Sequence, residues 1–129
     1  MARPDDIKYT PTHEWVRVEG DVAIVGITDF AVEELSDLAF IDLPAKGVKA
    51  QKGERFGEIE STKSVADLVA PVSGEIVDVN VTLPDNLQKI SDSPFDDGWM
   101  IRVRMSDPGE VDSLLTAKEY GAQLKAQEH

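Results

Sequence analysis

The sequence contains no cysteine among its 129 residues. The chain therefore cannot form a disulfide, bind a metal through thiolates or use a thiol as a nucleophile. Any redox chemistry would have to come from a cofactor that the protein carries. Basic residues are also scarce, since 13 lysines and arginines stand against 25 acidic residues and give a formal net charge of −12. This charge repels nucleic-acid phosphates and anionic lipid headgroups, so we expect neither nucleic acid nor membrane as a partner.

Long apolar runs are missing as well. No stretch approaches the roughly 20 residues that a membrane-spanning helix needs, and the polar opening from Met1 to Asp6 resembles neither a signal peptide nor an Arg-rich transit segment. We expect a cytoplasmic bacterial protein, or a mitochondrial-matrix protein only if a transit peptide is missing. The length suits one domain over residues 1–129, and the prolines and glycines are not concentrated in a linker. We expect a monomer.

The sequence also lacks the motifs of common catalytic sites. Its two histidines, His13 and His129, are far apart, and it has no Gly-x-Ser-x-Gly, no His-Glu-x-x-His and no glycine-rich phosphate loop. Glu58 and Glu60 could be acid–base or metal carboxylates, but no supporting ligands accompany them, and a solvated acidic surface is the simpler interpretation. We therefore expect no catalytic residues, no metal site and no enzymatic activity.

Short apolar or alternating segments predict a mainly β fold. A hairpin is predicted from Glu14 to Ile27, with its turn at Glu19-Gly20-Asp21. The other predicted strands are Leu38 to Leu43, Phe56 to Glu60, Val65 to Val69, Ile76 to Val81 and Trp99 to Met105. The last of these has the clearest two-residue period in the chain.

Capping residues predict three short helices. Thr28 or Asp29 can cap a helix near residues 29–36. Near the C-terminus, Asp107-Pro108-Gly109-Glu110 combines an N-cap, a proline at the first helical position and a glutamate at the third. Thr116-Ala117-Lys118-Glu119 repeats the capping-box pattern. Two C-terminal helices are therefore predicted to close the chain.

A weak internal repeat surrounds the middle of the sequence. Pro44-x-x-Gly47 recurs as Pro71-x-x-Gly74, and Gly53 is matched at the same offset by Asn80. The segment Glu60 to Ser64 stands between the copies. A β-domain built from two similar halves would put that segment at a special position, although four matches can arise by chance.

That connecting segment carries a single lysine, Lys63. Its neighbours Thr62 and Ser64 are small, and no bulky side chain follows until Val65. A lysine in such a position would project freely, as the attachment of a carried group requires. The segment has no Gly, Asn or Pro, so turn propensity does not predict a tight hairpin here. Taken alone, these residues are more typical of an ordinary surface lysine than of an attachment site.

Longer motifs in this region resemble a known family. Glu60-Ser61-Thr62-Lys63-Ser64-Val65-Ala66-Asp67, followed by Ala70-Pro71-Val72-Ser73-Gly74-Glu75-Ile76, closely resembles the lipoylation region of glycine cleavage H proteins. Other landmarks follow in the family's order: His13-Glu14-Trp15, Val25-Gly26-Ile27-Thr28, Phe40-Ile41-Asp42-Leu43-Pro44, Val79-Asn80, Ser93-Pro94-Phe95 and Gly98-Trp99. The resemblance extends from about Tyr9 to Tyr120. It departs from the usual pattern at Ile90-Ser91, where a Val-Asn pair is common, and at Phe95, which replaces a tyrosine.

The resemblance implies a barrel-sandwich hybrid fold of the lipoyl and biotinyl type, with two small antiparallel sheets, a short helix near residues 29–36 and C-terminal helices. It implies that lipoic acid is attached covalently to Lys63 at the tip of a hairpin. The carrier would shuttle an aminomethyl group from glycine decarboxylase, a pyridoxal-phosphate enzyme, to the tetrahydrofolate-dependent aminomethyltransferase. Dihydrolipoamide dehydrogenase and a lipoyl ligase or transferase complete the implied partners.

The resemblance implies a long arm, the lipoyl-lysine side chain, which is loaded when it carries the aminomethyl group. It also raises the question of where the end of the loaded arm would bind. Its end would be a cationic ammonium, which the carboxylates of Glu14 and Asp67 could attract, with Thr12 as a hydrogen-bonding neighbour. Such parking would shield the group from water. In the alternative interpretation both acids simply face solvent, and the sequence does not separate the two.

Other carrier functions remain open at this point. Lipoyl domains of 2-oxoacid dehydrogenases and biotin carboxyl carriers typically have Asp-Lys-Ala and Met-Lys-Met at the modified lysine, and Thr62-Lys63-Ser64 matches neither. A lipoyl relay protein, which passes its cofactor to other proteins, and an unmodified binding module are not excluded by these residues.

Overall fold

The computed structural model describes residues 4–127 of the chain. Its strands are Lys8–Tyr9 (β1), Glu14–Glu19 (β2), Val22–Ile27 (β3), Leu38–Asp42 (β4), Lys49–Ala50 (β5), Arg55–Ser61 (β6), Val65–Val69 (β7), Gly74–Val79 (β8) and Ile101–Met105 (β9). Its α-helices are Asp29–Leu35 (α1), Gln88–Asp92 (α2) and Ala117–Gln127 (α3), and 3-10 helices cover Leu83–Asp85 and Pro108–Ser113. His129 lies outside the described residues. Within residues 4–127, none of the helices has both the length and the apolar character needed to cross a bilayer.

The strands form two antiparallel sheets. One has the order β1-β2-β3-β9-β8-β5 and the other the order β4-β6-β7. The predicted hairpin is confirmed, since β2 and β3 pair from Glu14 opposite Ile27 to Glu19 opposite Val22. The mainly β fold with two small antiparallel sheets is therefore confirmed.

Several of the predicted strands have different ends by one or two residues, and the structure shows the cause of two of these differences. The last strand begins at Ile101 rather than Trp99, because the Trp99 N–H donates to the Asp96 carbonyl in a turn (3.1 Å). The strand predicted to reach Val81 ends at Val79. There Asn80 opens a turn, with the Leu83 N–H bonded to its carbonyl (3.2 Å). Local turn hydrogen bonds replace the ladder at both places.

The helices agree with the capping analysis, with one correction. Thr28 caps α1, and its hydroxyl accepts the Ala31 N–H at 3.3 Å. A capping box precedes α3, since Thr116 and Glu119 each bond the other's backbone N–H (2.9 and 3.1 Å). The first of the two closing helices is a 3-10 helix, Pro108–Ser113, rather than an α-helix.

Several short elements lie outside the predicted set. The two-residue strands β1 and β5 are too short to show a period, and α2 and the 3-10 helix before it lie in a polar stretch without a long apolar pattern. Of these, β5 clarifies the internal repeat. It lies within the first copy, between Gly47 and Gly53, and pairs with β8, which lies within the second copy, with Ala50 opposite Gly74. The two copies therefore pair with each other.

Both sheets contribute to one apolar core. The three-stranded sheet, called the small sheet below, contributes Ile41, Ile59 and Leu68. The six-stranded sheet, called the large sheet, contributes Val16, Val25, Ile76, Ile101 and Val103. A second, aromatic cluster joins the N-terminal strands to α3 through Tyr9, Trp15, Phe95 and Tyr120. The Tyr9 and Tyr120 rings stack there with centroids 4.9 Å apart. This cluster fixes the C-terminal helix beside the start of β2.

The end of α1 gives a prediction on stability. The backbone of Ser36 has φ 69° and ψ −120°, a conformation that residues other than glycine rarely adopt. Such a conformation costs of order 1–3 kcal/mol. Glycine would lose about 0.5–1 kcal/mol through its greater freedom when unfolded. We predict that Ser36→Gly raises the free energy of unfolding in urea by about 1 kcal/mol. Ser36→Ala is the matched control because it keeps the strained Cβ, and equal stability of the two variants would contradict the strain.

Candidate functional site

Lys63 lies in the loop between β6 and β7, with an exposed side chain. The two strands pair antiparallel up to Glu60 opposite Val65, and the Ser61 N–H then closes the loop by donating to the Ser64 carbonyl at 2.8 Å. The lysine is thus at the tip of a hairpin of the three-stranded sheet. Thr62 and Ser64 are also exposed and leave its surroundings open.

A cleft of about 190 Å³ lies beside this sheet. Helix α1, the start of β2 and the inner residues of β7 contribute to its walls. Its lining includes Thr12, His13, Glu14, Phe30, Glu34 and Asp67. The structure therefore brings together Thr12, Glu14 and Asp67, the three residues predicted to hold the end of an arm, although Asp67 is far from the other two in sequence.

Glu14 is the buried carboxylate of this cleft, with 1% of its surface exposed. Its Oε1 accepts hydrogen bonds from the hydroxyls of Thr10 (2.7 Å) and Thr12, and its Oε2 accepts the Val69 N–H (3.2 Å). Burial raises the pKa of the Glu14 carboxyl, and these hydrogen bonds oppose the rise. The interpretation in which Glu14 simply faces solvent is wrong.

Asp67 occupies the rim of the cleft. Its side chain is 65% exposed, and its Oδ1 lies 3.2 Å from Nε of Arg55. It stands opposite Glu58 across the β6–β7 ladder, and Arg55 also contacts Glu58, at 2.6 Å. The guanidinium thus lies between two neighbouring carboxylates. Asp67 does face solvent, and it contributes negative charge at the entrance.

His13 is a cleft residue for which the sequence predicts no role. Its φ of 74° is unusual for a residue with a side chain. Nδ1 lies 2.8 Å from the hydroxyl of Tyr120, which in turn lies 2.7 Å from the hydroxyl of Thr28. Burial lowers the pKa of His13, an effect that the charge of Glu34 partly offsets. The imidazole therefore links α3 to the wall of the cleft.

Phe30 and Glu34 were missed as cleft residues too. They are four residues apart on α1 and so share one helix face. That spacing was readable in the sequence, but nothing in it indicated which partner the face covers. Glu34 adds a third carboxylate to those of Glu14 and Asp67 in the lining. Such a cleft suits a cationic or hydrogen-bond-donating group.

Among residues 4–127, no cluster of three or more histidine or acidic side chains has the arrangement of a metal site. The carboxylates of Glu14 and Asp67 are instead bound by hydroxyls, a backbone N–H or Arg55. These groups can bind a ligand through charge and hydrogen bonds.

Comparisons with known proteins agree on one family. Residues 7–127 match the family model described as Glycine cleavage H-protein. Relatives named "Glycine cleavage system H protein" include one from a Cyanothece species, 48% identical over 97% of both chains, and one from Rubrobacter xylanophilus, 50% identical with the same coverage. The crystal structure of a glycine cleavage system H protein from Mycobacterium marinum superimposes with a TM-score of 0.88. It is 43% identical and covers 95% of this chain and 99% of that one.

The buried carboxyl of Glu14 gives a prediction on pH. Because its folded-state pKa is raised, the folded protein binds this proton more tightly than the unfolded chain, whose pKa is about 4.5. The group therefore stabilises the fold most at low pH, and this contribution is lost as pH rises from about 4.5 through the raised pKa. Glu14→Gln cannot ionise.

We predict that the free energy of unfolding of the unaltered protein, minus that of Glu14→Gln, increases as pH falls from 7 to 4. Urea unfolding at several pH values measures it, and the titration of other groups cancels in the difference. A difference that decreases toward low pH would show that the hydrogen bonds of Glu14 outweigh its desolvation.

Proposed function

The chain belongs to the glycine cleavage H-protein family, whose members are the lipoyl carriers of the glycine cleavage system, and we propose that Lys63 is its attachment site. The observation that carries the proposal is the position of Lys63. Its side chain is exposed at the tip of an ordered hairpin, and Asp67, four residues later in the sequence, lines the acidic cleft. A modifying enzyme can approach the amine there without displacing the core. When bound, the lipoyl group would supply a disulfide that can open, so that one of its two sulfur atoms can hold an aminomethyl group between enzymes.

Residues of the cleft would hold the cationic end of the loaded arm. Strand residues rise about 3.3 Å each, so the four steps from Lys63 to Asp67 span at most about 13 Å, a distance that an acylated lysine side chain can cover. Asp67 would attract the cation at the rim, and Glu14 with Thr12 would accept its hydrogen bonds inside. The apolar ring of Phe30 would help to exclude water.

We further propose the full set of partners and the place of action. Glycine decarboxylase would load the arm, aminomethyltransferase would unload it, dihydrolipoamide dehydrogenase would reoxidise it and a lipoyl ligase or transferase would attach it. The chain itself would act as a carrier without catalysing these steps, as a single cytoplasmic domain over residues 1–129 and as a monomer. The bacterial relatives support this location.

An alternative carrier role is less well supported. Relatives that share about half of the sequence over nearly its whole length are named H proteins, which favours glycine cleavage over 2-oxoacid dehydrogenases. A relay role predicts transfer of the lipoyl group from this chain to a dehydrogenase subunit. Incubation of both proteins with a lipoyl transferase, followed by mass spectrometry, tests for that transfer.

The attachment site is tested by intact-protein mass spectrometry. We predict that co-expression with a lipoyl ligase adds one lipoyl mass to the unaltered chain and none to Lys63→Arg, because arginine offers no acylable amine. Lys46→Arg replaces another exposed lysine in a turn and is the matched control. A mass increase that persists in Lys63→Arg would place the cofactor elsewhere.

Binding of the loaded arm in the cleft is tested by the rate at which the aminomethyl-loaded carrier breaks down spontaneously. We predict that Glu14→Ala speeds spontaneous breakdown about tenfold or more, because a hydrogen bond to a charged group contributes about 1.5–3 kcal/mol. The variant is loaded with glycine decarboxylase and labelled glycine, and release of the label is followed over time. Glu75→Ala removes an exposed carboxylate of the large sheet and should change nothing. An unchanged rate in Glu14→Ala would remove Glu14 from this role.

A further inference from the structure

The loop that carries Lys63 has an unusual composition for a hairpin turn. Residues 62–64 are Thr, Lys and Ser, with no Gly, Asn or Pro, and none of the three has a positive φ. Hairpin turns commonly depend on residues that tolerate positive φ. Another interaction must therefore set the shape of this loop.

The hydroxyl of Ser61 supplies that interaction. Ser61 is the last residue of β6 and is 8% exposed. Its Oγ accepts the backbone N–H groups of Lys63 (3.3 Å) and Ser64 (3.1 Å), and it lies 3.3 Å from the Ser64 carbonyl, to which it can donate. A serine side chain that bonds backbone groups two and three residues ahead replaces the interactions of a conventional turn.

A backbone contact anchors the same loop from outside. The Thr62 N–H donates to the carbonyl of Asp37 at 3.0 Å. Asp37 lies in the connection between α1 and β4. The three N–H groups of residues 62–64 are therefore all bonded within the protein, and Lys63 projects from an ordered backbone.

We propose that Ser61 is a positioning residue for the modification of Lys63. Its hydroxyl holds the loop in one conformation, so the lipoyl ligase or transferase binds a loop that is already ordered and avoids the entropic cost of ordering it. This inference rests on the proposed attachment at Lys63. It adds the residue on which recognition of that lysine depends, although Ser61 itself does not contact the reacting atoms.

Steady-state lipoylation of the purified chain by a lipoyl ligase tests the proposal. Loss of one or two hydrogen bonds corresponds to about a fivefold to tenfold change in an equilibrium constant. We expect Ser61→Ala to raise the KM for the carrier by that factor and to leave kcat unchanged. Ser61→Thr keeps the hydroxyl and should restore the KM. Thr62→Ala removes a hydroxyl that has no hydrogen bond within the described residues, and it is the matched control.

Amide hydrogen exchange at Lys63 and Ser64 provides a second readout that is independent of the ligase. We expect faster exchange in Ser61→Ala and no change in Thr62→Ala. An unchanged KM would overturn the proposal. A raised KM without faster exchange would also overturn it, because the enzyme would then read the hydroxyl directly. Absence of lipoylation at Lys63 in the unaltered chain would instead contradict the proposed function. The Ser61 and Thr62 variants bear only on the positioning role, so the two failures can be told apart.

Discussion

The packing of the small sheet against the common core determines where everything else in the molecule can lie. Along β6 and β7 alternate side chains enter that core, with Ile59 and Leu68 almost fully buried. A register shift by one residue would turn these side chains outward, so burial fixes the pairing. It also fixes which end of the ladder carries Lys63 and which face carries Asp67. The position of the lysine follows from core packing and from the length of the strands.

The cleft beside this sheet depends on a carboxyl group that the fold buries at a cost. An ionised carboxylate without water needs hydrogen bonds in return, and Glu14 receives them from Thr10, Thr12 and the Val69 backbone. The bond from Val69 joins the start of β2 to the end of β7, so it also connects the two sides of the cleft. In the proposed arm-binding role, the same carboxylate would serve both stability and ligand binding. That is why its substitution must be judged by the lifetime of the loaded carrier as well as by unfolding.

The sequence predicted some levels of this structure better than others. The β2–β3 hairpin and the capping box of α3 were predictable, because alternation and capping are local patterns. The hairpin tip was not predictable from propensity, since its turn is made by the side chain of Ser61 rather than by a turn-forming residue. The cleft was only partly predictable. Its lining brings together residues between Thr12 and Leu68, and the lining residue His13 is bonded to Tyr120 across more than a hundred positions. Such contacts leave no local signal.

A carrier must combine a fixed body with a mobile group. In this chain the boundary between ordered and free parts lies at Lys63, between its backbone and its side chain. Up to the backbone of Lys63 every loop N–H is bonded, by Ser61 or by the Asp37 carbonyl. Beyond it the lysine side chain is exposed. Tethering raises the effective concentration of a carried group at each enzyme only if the arm can reach, whereas recognition gains from a rigid surface. With the proposed attachment at Lys63, an ordered tip beneath a free side chain would meet both conditions.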